Sequence, residues 1–236
     1  MDMTVRDTIV RKARESEYQI VNNNTVLPSK FYALTQKEYT GKRALDIILS
    51  LIGLTVLAVL FPFLALGIKL SSPGPIFFKQ KRTGRGGESF LCYKVRTMHE
   101  FYEAPNREKP AVTQKGDIRV FKFGSFLRKS NLDELPQLFN VLKGDMSLVG
   151  PRPYMKDETV YWNKRFDDFY YRYAVRPGIT GFAQVKGLRG GTLDNDHMRK
   201  RLDKDLIYVQ KQSLMMDVKI IFGTVMQMFN NQTNAH

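Results

Sequence analysis

Between Ile47 and Ile68 the chain carries no charged residue, a run of 22 positions. As a straight helix such a run is about 33 Å long, close to the thickness of the hydrocarbon layer of a bilayer. Membrane attachment follows from that length; a simple crossing does not. Pro62 interrupts the run in Leu60-Phe61-Pro62-Phe63, and proline, lacking an amide hydrogen, bends or breaks a helix. Both flanks are basic, with Lys42 and Arg43 before the run and Lys69, Lys79, Lys81 and Arg82 after it. Basic flanks favour the cytoplasmic face. A segment that enters, breaks at Pro62 and returns to the same face satisfies both features. The alternative is one kinked helix that crosses outright. Residues 1–40 are polar and contain no apolar stretch of the kind a cleavable leader needs.

The charge balance narrows the partners. Against 23 acidic residues stand 37 Lys and Arg, a formal net charge of +14 in 236 residues. Such an excess suits nucleic acid, membrane phospholipids or phosphorylated substrates. No groove-reading or base-stacking module accompanies it, so no nucleic-acid partner is expected. Cys92, the single cysteine, sits in the apolar run Phe90-Leu91-Cys92-Tyr93 and reads as a buried strand residue in a reducing compartment. His99, His197 and His236 are too scattered for zinc-ligand spacing.

Beyond the apolar run, Ser71-Ser72-Pro73-Gly74-Pro75 is a breaker. Ile76-Phe77-Phe78 and Ser89-Phe90-Leu91-Cys92-Tyr93, separated by Thr83-Gly84-Arg85-Gly86-Gly87, predict a β-hairpin. Residues 101–117 read as a surface loop. Helices are predicted over 117–129, 132–142, 156–173 and 198–212. The Met-, Ile-, Val- and Phe-rich stretch 214–229 fits either a core helix or an amphipathic helix lying in a membrane interface.

The chemistry concentrates in Arg128-Lys129-Ser130-Asn131-Leu132-Asp133-Glu134-Leu135-Pro136-Gln137-Leu138. Proline is accepted in a first helical turn, which puts a helix start near Leu132 and the adjacent carboxylates Asp133 and Glu134 at its N-terminus. That position favours negative charge, and also phosphate or a metal-bridged phosphate. Neighbouring helical positions point in different directions, so the two carboxylates take different roles. One attacks phosphorus or coordinates, and the other contacts metal or takes a proton. A plain N-terminal cap, Ser130-x-x-Asp133, accounts for the same residues without any chemistry. Arg152, held between Pro151 and Pro153, and Arg176, before a Pro-Gly turn, add rigidly mounted guanidinium groups. Together with Arg128 they suit a diphosphate and a divalent cation.

Taken with the ordered motifs Tyr93-Lys94-Val95-Arg96-Thr97-Met98, Gly144-Asp145-Met146-Ser147-Leu148-Val149-Gly150-Pro151-Arg152-Pro153 and Arg176-Pro177-Gly178-Ile179-Thr180-Gly181, the sequence from Lys42 to Phe229 resembles the monotopic phosphoglycosyl transferases. These bacterial sugar transferases start glycan assembly on a polyprenyl phosphate. The resemblance implies a re-entrant membrane helix broken at Pro62 and an active site at the cytoplasmic face of the inner membrane. It implies that Asp133 attacks the β-phosphorus of a UDP-sugar and releases UMP. Polyprenyl (undecaprenyl) phosphate then takes the sugar phosphate from Asp133. Glu134 assists through Mg2+, with Mn2+ as an alternative, or as proton acceptor, so both carboxylates are metal-ligand candidates. Lys94, Arg128, Arg152 and Arg176 match positions expected to bind substrate. Gln184 to Thr192 looks like the branch that transfers hexose 1-phosphate, often glucose. The product would pass to downstream glycosyltransferases in exopolysaccharide, capsule, O-antigen or glycoconjugate assembly. The larger members' additional N-terminal membrane helices have no counterpart here. A noncatalytic, membrane-anchored scaffold explains the apolar run and basic surface but leaves the acidic pair and the arginines as coincidence.

The expected fold is α+β: a mostly helical small catalytic domain with a β-hairpin, one re-entrant membrane helix and interfacial amphipathic helices. Its expected parts are an N-terminal extension over 1–40, the membrane helix over 41–71 and a cytoplasmic-face catalytic domain over 72–236.

Overall fold

The computed structural model describes Tyr18–Val21, Thr25–Pro28 and residues 38–99 and 116–229. Mixed α and β structure is arranged around one long helix. In the N-terminal extension, β1 (Tyr18–Val21) and β2 (Thr25–Pro28) form an antiparallel pair that composition did not predict. Most of the expected 101–117 loop lies outside the described residues.

The apolar run lies within α1 (Lys42–Ser71), the one described helix long and apolar enough to cross a membrane. It continues through Pro62 rather than breaking there. Proline removes one amide donor, yet its fixed φ is compatible with helix, so a bend can form without termination. One stripe of α1 is buried: Lys42, Asp46, Ser50, Leu57, Leu64 and Ile68. Steps of about four and seven residues keep these side chains on one face. Leu51, Ile52, Val56, Val59, Phe63, Leu66 and Leu70 are exposed.

Each end of the stripe is fastened to the same domain. At the start, Lys42 Nζ donates to the Val149 carbonyl at 3.0 Å and forms an ion pair with Asp217 at 2.6 Å. Asp46 accepts from the Ser147 hydroxyl and the Leu148 amide, each at 2.9 Å. Towards the other end, Leu57, Leu64 and Ile68 pack with Val95, Phe121 and Leu127. Arg96 then staples the exit, donating to the Ser72 hydroxyl and carbonyl, each at 2.8 Å.

The predicted hairpin is present as β3 (Phe77–Thr83) and β4 (Ser89–Val95), longer than its apolar cores, with a short 3-10 turn at Arg85–Gly87. Cys92 is buried against Val141 and Met146, as expected of a strand residue. Burial pushes its thiol pKa up, which disfavours the reactive thiolate.

Several predicted helices are shorter than expected. The first is α2 (Lys122–Lys129). The second divides into a 3-10 turn, Leu132–Glu134, and α3 (Gln137–Lys143). Pro136 occupies the N-cap of α3, so the acidic pair precedes the α-helix instead of opening it. The third divides into α4 (Lys156–Asn163) and a 3-10 stretch, Phe169–Ala174. Farther on are α5 (Phe182–Val185), α6 (Asn195–Lys211), capped by the Asp194 side chain, and α7 (Leu214–Phe229). Helix α7 buries Asp217 and Ile220 but exposes Leu214, Met215, Val218, Phe222, Val225, Met226 and Met228. Its apolar surface thus exceeds what the domain covers.

A short parallel pair, β5 (Ser147–Val149) and β6 (Gly178–Thr180), aligns two of the motif loops. Gly150 follows β5 with no room for a side chain, because a Cβ would collide with the Arg176–Gly178 backbone. Gly150→Ala is therefore expected to lower stability by about 2–3 kcal/mol. Chemical denaturation with an unchanged m-value would show it; an undiminished midpoint would contradict the close approach.

Candidate active site

The elements converge on a cavity of about 930 Å³. Its polar wall carries seven cations, Arg82, Lys94, Arg96, Arg119, Arg128, Arg152 and Arg189, and three carboxylates, Asp133, Glu134 and Glu158. That imbalance suits a polyanion. Its apolar wall comes from Leu49 of α1, Phe77 and Phe78 at the start of β3, and Ile221, Val225 and Met228 of α7. The apolar run and the C-terminal helix thus meet the charged groups at one site.

Asp133 and Glu134 occupy a turn entered through Asn131, whose φ of 56° places it in the left-handed region. The capping reading does not hold. The Ser130 hydroxyl donates back to the Phe126 and Leu127 carbonyls at 2.9 and 3.1 Å, and no side chain caps the turn.

The two carboxylates differ sharply. Glu134 Oε1 accepts from Lys94 Nζ at 2.6 Å and from Arg152 at 3.0 Å. Burial raises its pKa, but Arg152 and Lys94 outweigh burial and hold it well below the usual carboxylate range. Asp133 is 7% exposed, and its carboxylate makes no hydrogen bond or ion pair among the described residues. Burial lifts its pKa to about 6; Lys94 opposes the rise and Glu134 adds to it. One carboxylate is thus fixed and neutralised, while the other is uncommitted and titrates close to neutrality.

The guanidinium groups are held with equal care. Arg128 Nε donates to the Thr97 hydroxyl at 2.8 Å. Arg152 sits in a loop gripped from behind, where Arg172 donates to its carbonyl at 2.8 Å and Arg82 donates to the Pro153 carbonyl. Arg172 is itself buried and paired with Asp205 at 2.7 Å. Lys94, Arg128, Arg152, Asp133 and Glu134 are therefore brought together. Arg176 is not: it pairs with Glu38 at 3.0 Å and lines a separate cavity of about 340 Å³ beside Arg85 and Gly144.

Sequence reasoning gave no site role to Arg82, Arg119, Arg189 or Asn131, reading Arg82 only as a basic flank of the apolar run. Arg82 shares strand β3 with Gln80, and both line the cavity. Alternation along the predicted hairpin could have found that pair. Arg119, Arg189 and Asn131 reach the cavity through turns that leave no periodic signal.

The family model described as "Bacterial sugar transferase" matches residues 37–231. The chain belongs to the bacterial sugar transferase family. This transferase is 47% identical over 184 residues to a Caulobacter vibrioides protein named UDP-glucose:undecaprenyl-phosphate glucose-1-phosphate transferase, covering 78% of this chain and 68% of that one. It is 46% identical over 187 residues to the exopolysaccharide production protein PSS of Rhizobium leguminosarum, with 78% and 92% covered. An Escherichia coli protein with the same name as the Caulobacter one is 38% identical over 232 residues; 98% of this chain spans 49% of that relative. In the transferase, the matched region contains the whole described cavity wall.

Proposed function

We propose that this transferase moves a sugar 1-phosphate from a UDP-sugar to undecaprenyl phosphate through a phosphosugar ester on Asp133. The observation that carries the reading is the buried carboxylate of Asp133 in a cation-rich cavity, next to a Glu134 that Lys94 and Arg152 already engage. A nucleophilic carboxylate must be ionised when it attacks, and Asp133 meets that condition above its pKa. A lone pair of Asp133 forms a bond to the β-phosphorus. The bond from that phosphorus to the bridging oxygen breaks, and UMP leaves with the electron pair. In the second half, an oxygen of undecaprenyl phosphate attacks the same phosphorus and Asp133 leaves as carboxylate. UDP-glucose is the first donor to test, since the Caulobacter and Escherichia coli relatives carry it in their names.

Lys94, Arg128 and Arg152 are assigned to the phosphates, with Lys94 and Arg152 kept in place by Glu134. The apolar wall formed by Leu49, Ile221, Val225 and Met228 suits an isoprenoid tail. Asp133 and Glu134 also fit a Mg2+ or Mn2+ ion shared with the substrate. No cluster of three or more Asp, Glu, His or Cys exists among the described residues, and Mg2+ characteristically uses one or two carboxylates plus substrate phosphates. Bound there, such an ion would neutralise charge on the diphosphate.

The same reading places α1 as a re-entrant helix bent at Pro62 in the inner membrane, with both ends and the active site on the cytoplasmic side. Its support is the buried stripe, fastened to the one domain from Lys42 to Ser72, together with the basic flanks. Downstream glycosyltransferases of a polysaccharide pathway would then take up the lipid-linked product.

Steady-state assay of UMP release across a panel of UDP-sugars, with and without undecaprenyl phosphate, tests the function. Steady-state release that requires both substrates and Asp133, and a matching lipid-linked sugar, is expected; no lipid product from any donor would overturn it. The pH profile is a second check. Because Asp133 must be ionised and titrates at about 6, kcat/KM for donor should rise about tenfold per pH unit below that value and level off above it. Glu134 raises the Asp133 pKa, so Glu134→Gln should move the acid limb to lower pH. A profile flat from pH 5 to 8 would contradict the assignment.

A further inference from the structure

Arg189 lines the active-site cavity without a part in the roles assigned so far. Its turn is held from behind. Arg201, buried on α6, donates to the Arg189 and Gly190 carbonyls at 3.1 and 2.7 Å and to the Tyr154 hydroxyl at 2.8 Å. The Arg189 side chain carries an unbalanced charge. Lys94 and Arg152 are paired with Glu134, and Arg119 with Asp117, whereas Arg189 forms no ion pair among the described residues. Burial lowers its pKa, Arg152 lowers it further, and Glu134 opposes them. A desolvated guanidinium near a second guanidinium is stabilised by an anion that both can reach.

The same charges locate that anion. Arg152 acts on both Asp133 and Arg189, but Asp133 is not among the charges acting on Arg189. Arg189 therefore lies farther from the nucleophile than Arg152 does. Just upstream, the Val185 carbonyl accepts from Gln227 of α7 at 2.8 Å, which ties this segment to the helix that supplies much of the apolar wall. Phosphoryl transfer runs in line, so the phosphate of UMP leaves on the side of the transferred phosphorus opposite Asp133. To expel Asp133, the acceptor must attack from that same side. One position thus holds the leaving phosphate first and the attacking phosphate second.

We propose that Arg189, together with Arg152, forms a single phosphate subsite used in turn by the α-phosphate of the UDP-sugar and by the phosphate of the lipid acceptor. This rests on the reading of Asp133 as the nucleophile. Arg189 binds and orients the phosphate that leaves or attacks, and forms no bond to phosphorus itself.

Calorimetry on the intact protein in detergent, with UMP or geranyl phosphate as ligand and no sugar donor, tests the subsite without turnover. Arg189→Gln, which removes the charge, should weaken both ligands on the order of 10-fold or more, and leave uridine and geraniol unaffected. Arg189→Lys should recover part of the loss. Saturating UMP should exclude geranyl phosphate from the wild-type protein. Wild-type affinity of Arg189→Gln for both phosphates overturns the role of Arg189, and equal weakening of uridine and geraniol does the same by making the effect structural. Loss for one phosphate alone, or simultaneous binding of UMP and geranyl phosphate, overturns a shared subsite. None of these measurements involves an ester, so a protein that binds as expected but never carries an adduct on Asp133 would fail the nucleophile reading alone.

Discussion

Asp133→Asn is expected to lower sugar-phosphate transfer by on the order of 10,000-fold or more, because the amide cannot form the ester through which the group passes. The same change is expected to stabilise the folded protein at neutral pH by about 3 kcal/mol. The sign follows from the raised pKa. The folded state holds the Asp133 proton up to about pH 6, whereas the unfolded chain releases it near the ordinary value of 3.8. Between those values the folded state binds more protons, so stability falls as pH rises through the window and the loss is complete above it. A neutral amide escapes that loss. Denaturation at pH 7 and at pH 4 would show the gain only at the higher pH. A variant both inactive and less stable at pH 7 would mean that burial of the Asp133 charge is not what raises its pKa.

Lys42→Met is expected to be the most damaging single change outside the cavity, lowering stability by about 3–5 kcal/mol. Lys42 and Asp217 are each 1% exposed, and the lysine also donates to Tyr208 and to the Val149 carbonyl. Without it the Asp217 carboxylate stays buried with only the Tyr39 and Tyr208 hydroxyls as partners. The consequence reaches further than local stability, since this cluster ties the start of α1 to α7 and to the strand that leads into Arg152. Removing both charges, as Lys42→Met with Asp217→Leu, should recover most of the lost stability. Thermal unfolding in detergent would reveal the difference as a fall in Tm of about 10 °C for the single variant. An unchanged Tm would show that the ion pair does not fasten the helix.

Much of this architecture could be read from residue patterns. The uncharged run, the hairpin around its glycines, the helix over 214–229 and the buried Cys92 all follow from periodicity and composition, which report local preference and burial. Arg152 was legible because prolines fix the backbone on each side of it, and the acidic pair because Pro136 follows it. What escaped depended on long-range contact. The parallel pairing of Ser147–Val149 with Gly178–Thr180 joins segments about thirty residues apart, each too short for a pattern. Asn131 lies between two predicted helices, and the left-handed conformation it adopts there is one that its identity permits but does not announce. Arg176 looks in sequence like Arg152, yet its side chain turns towards Glu38, a partner 138 positions away. Lys42 reads as a membrane-flanking surface charge and is in fact buried; only the fold supplies the carboxylate that makes this tolerable.

The central claim is that Asp133 carries the sugar phosphate between two substrates. Mixing the protein with UDP-glucose and Mg2+, in the absence of any lipid acceptor, and measuring intact mass with peptide mapping tests it most directly. A hexose-phosphate mass increment on the peptide containing Asp133, discharged when undecaprenyl phosphate is added, is the predicted result. An increment on a different residue, or lipid-linked product formed at full rate with no adduct at any time point, would contradict it.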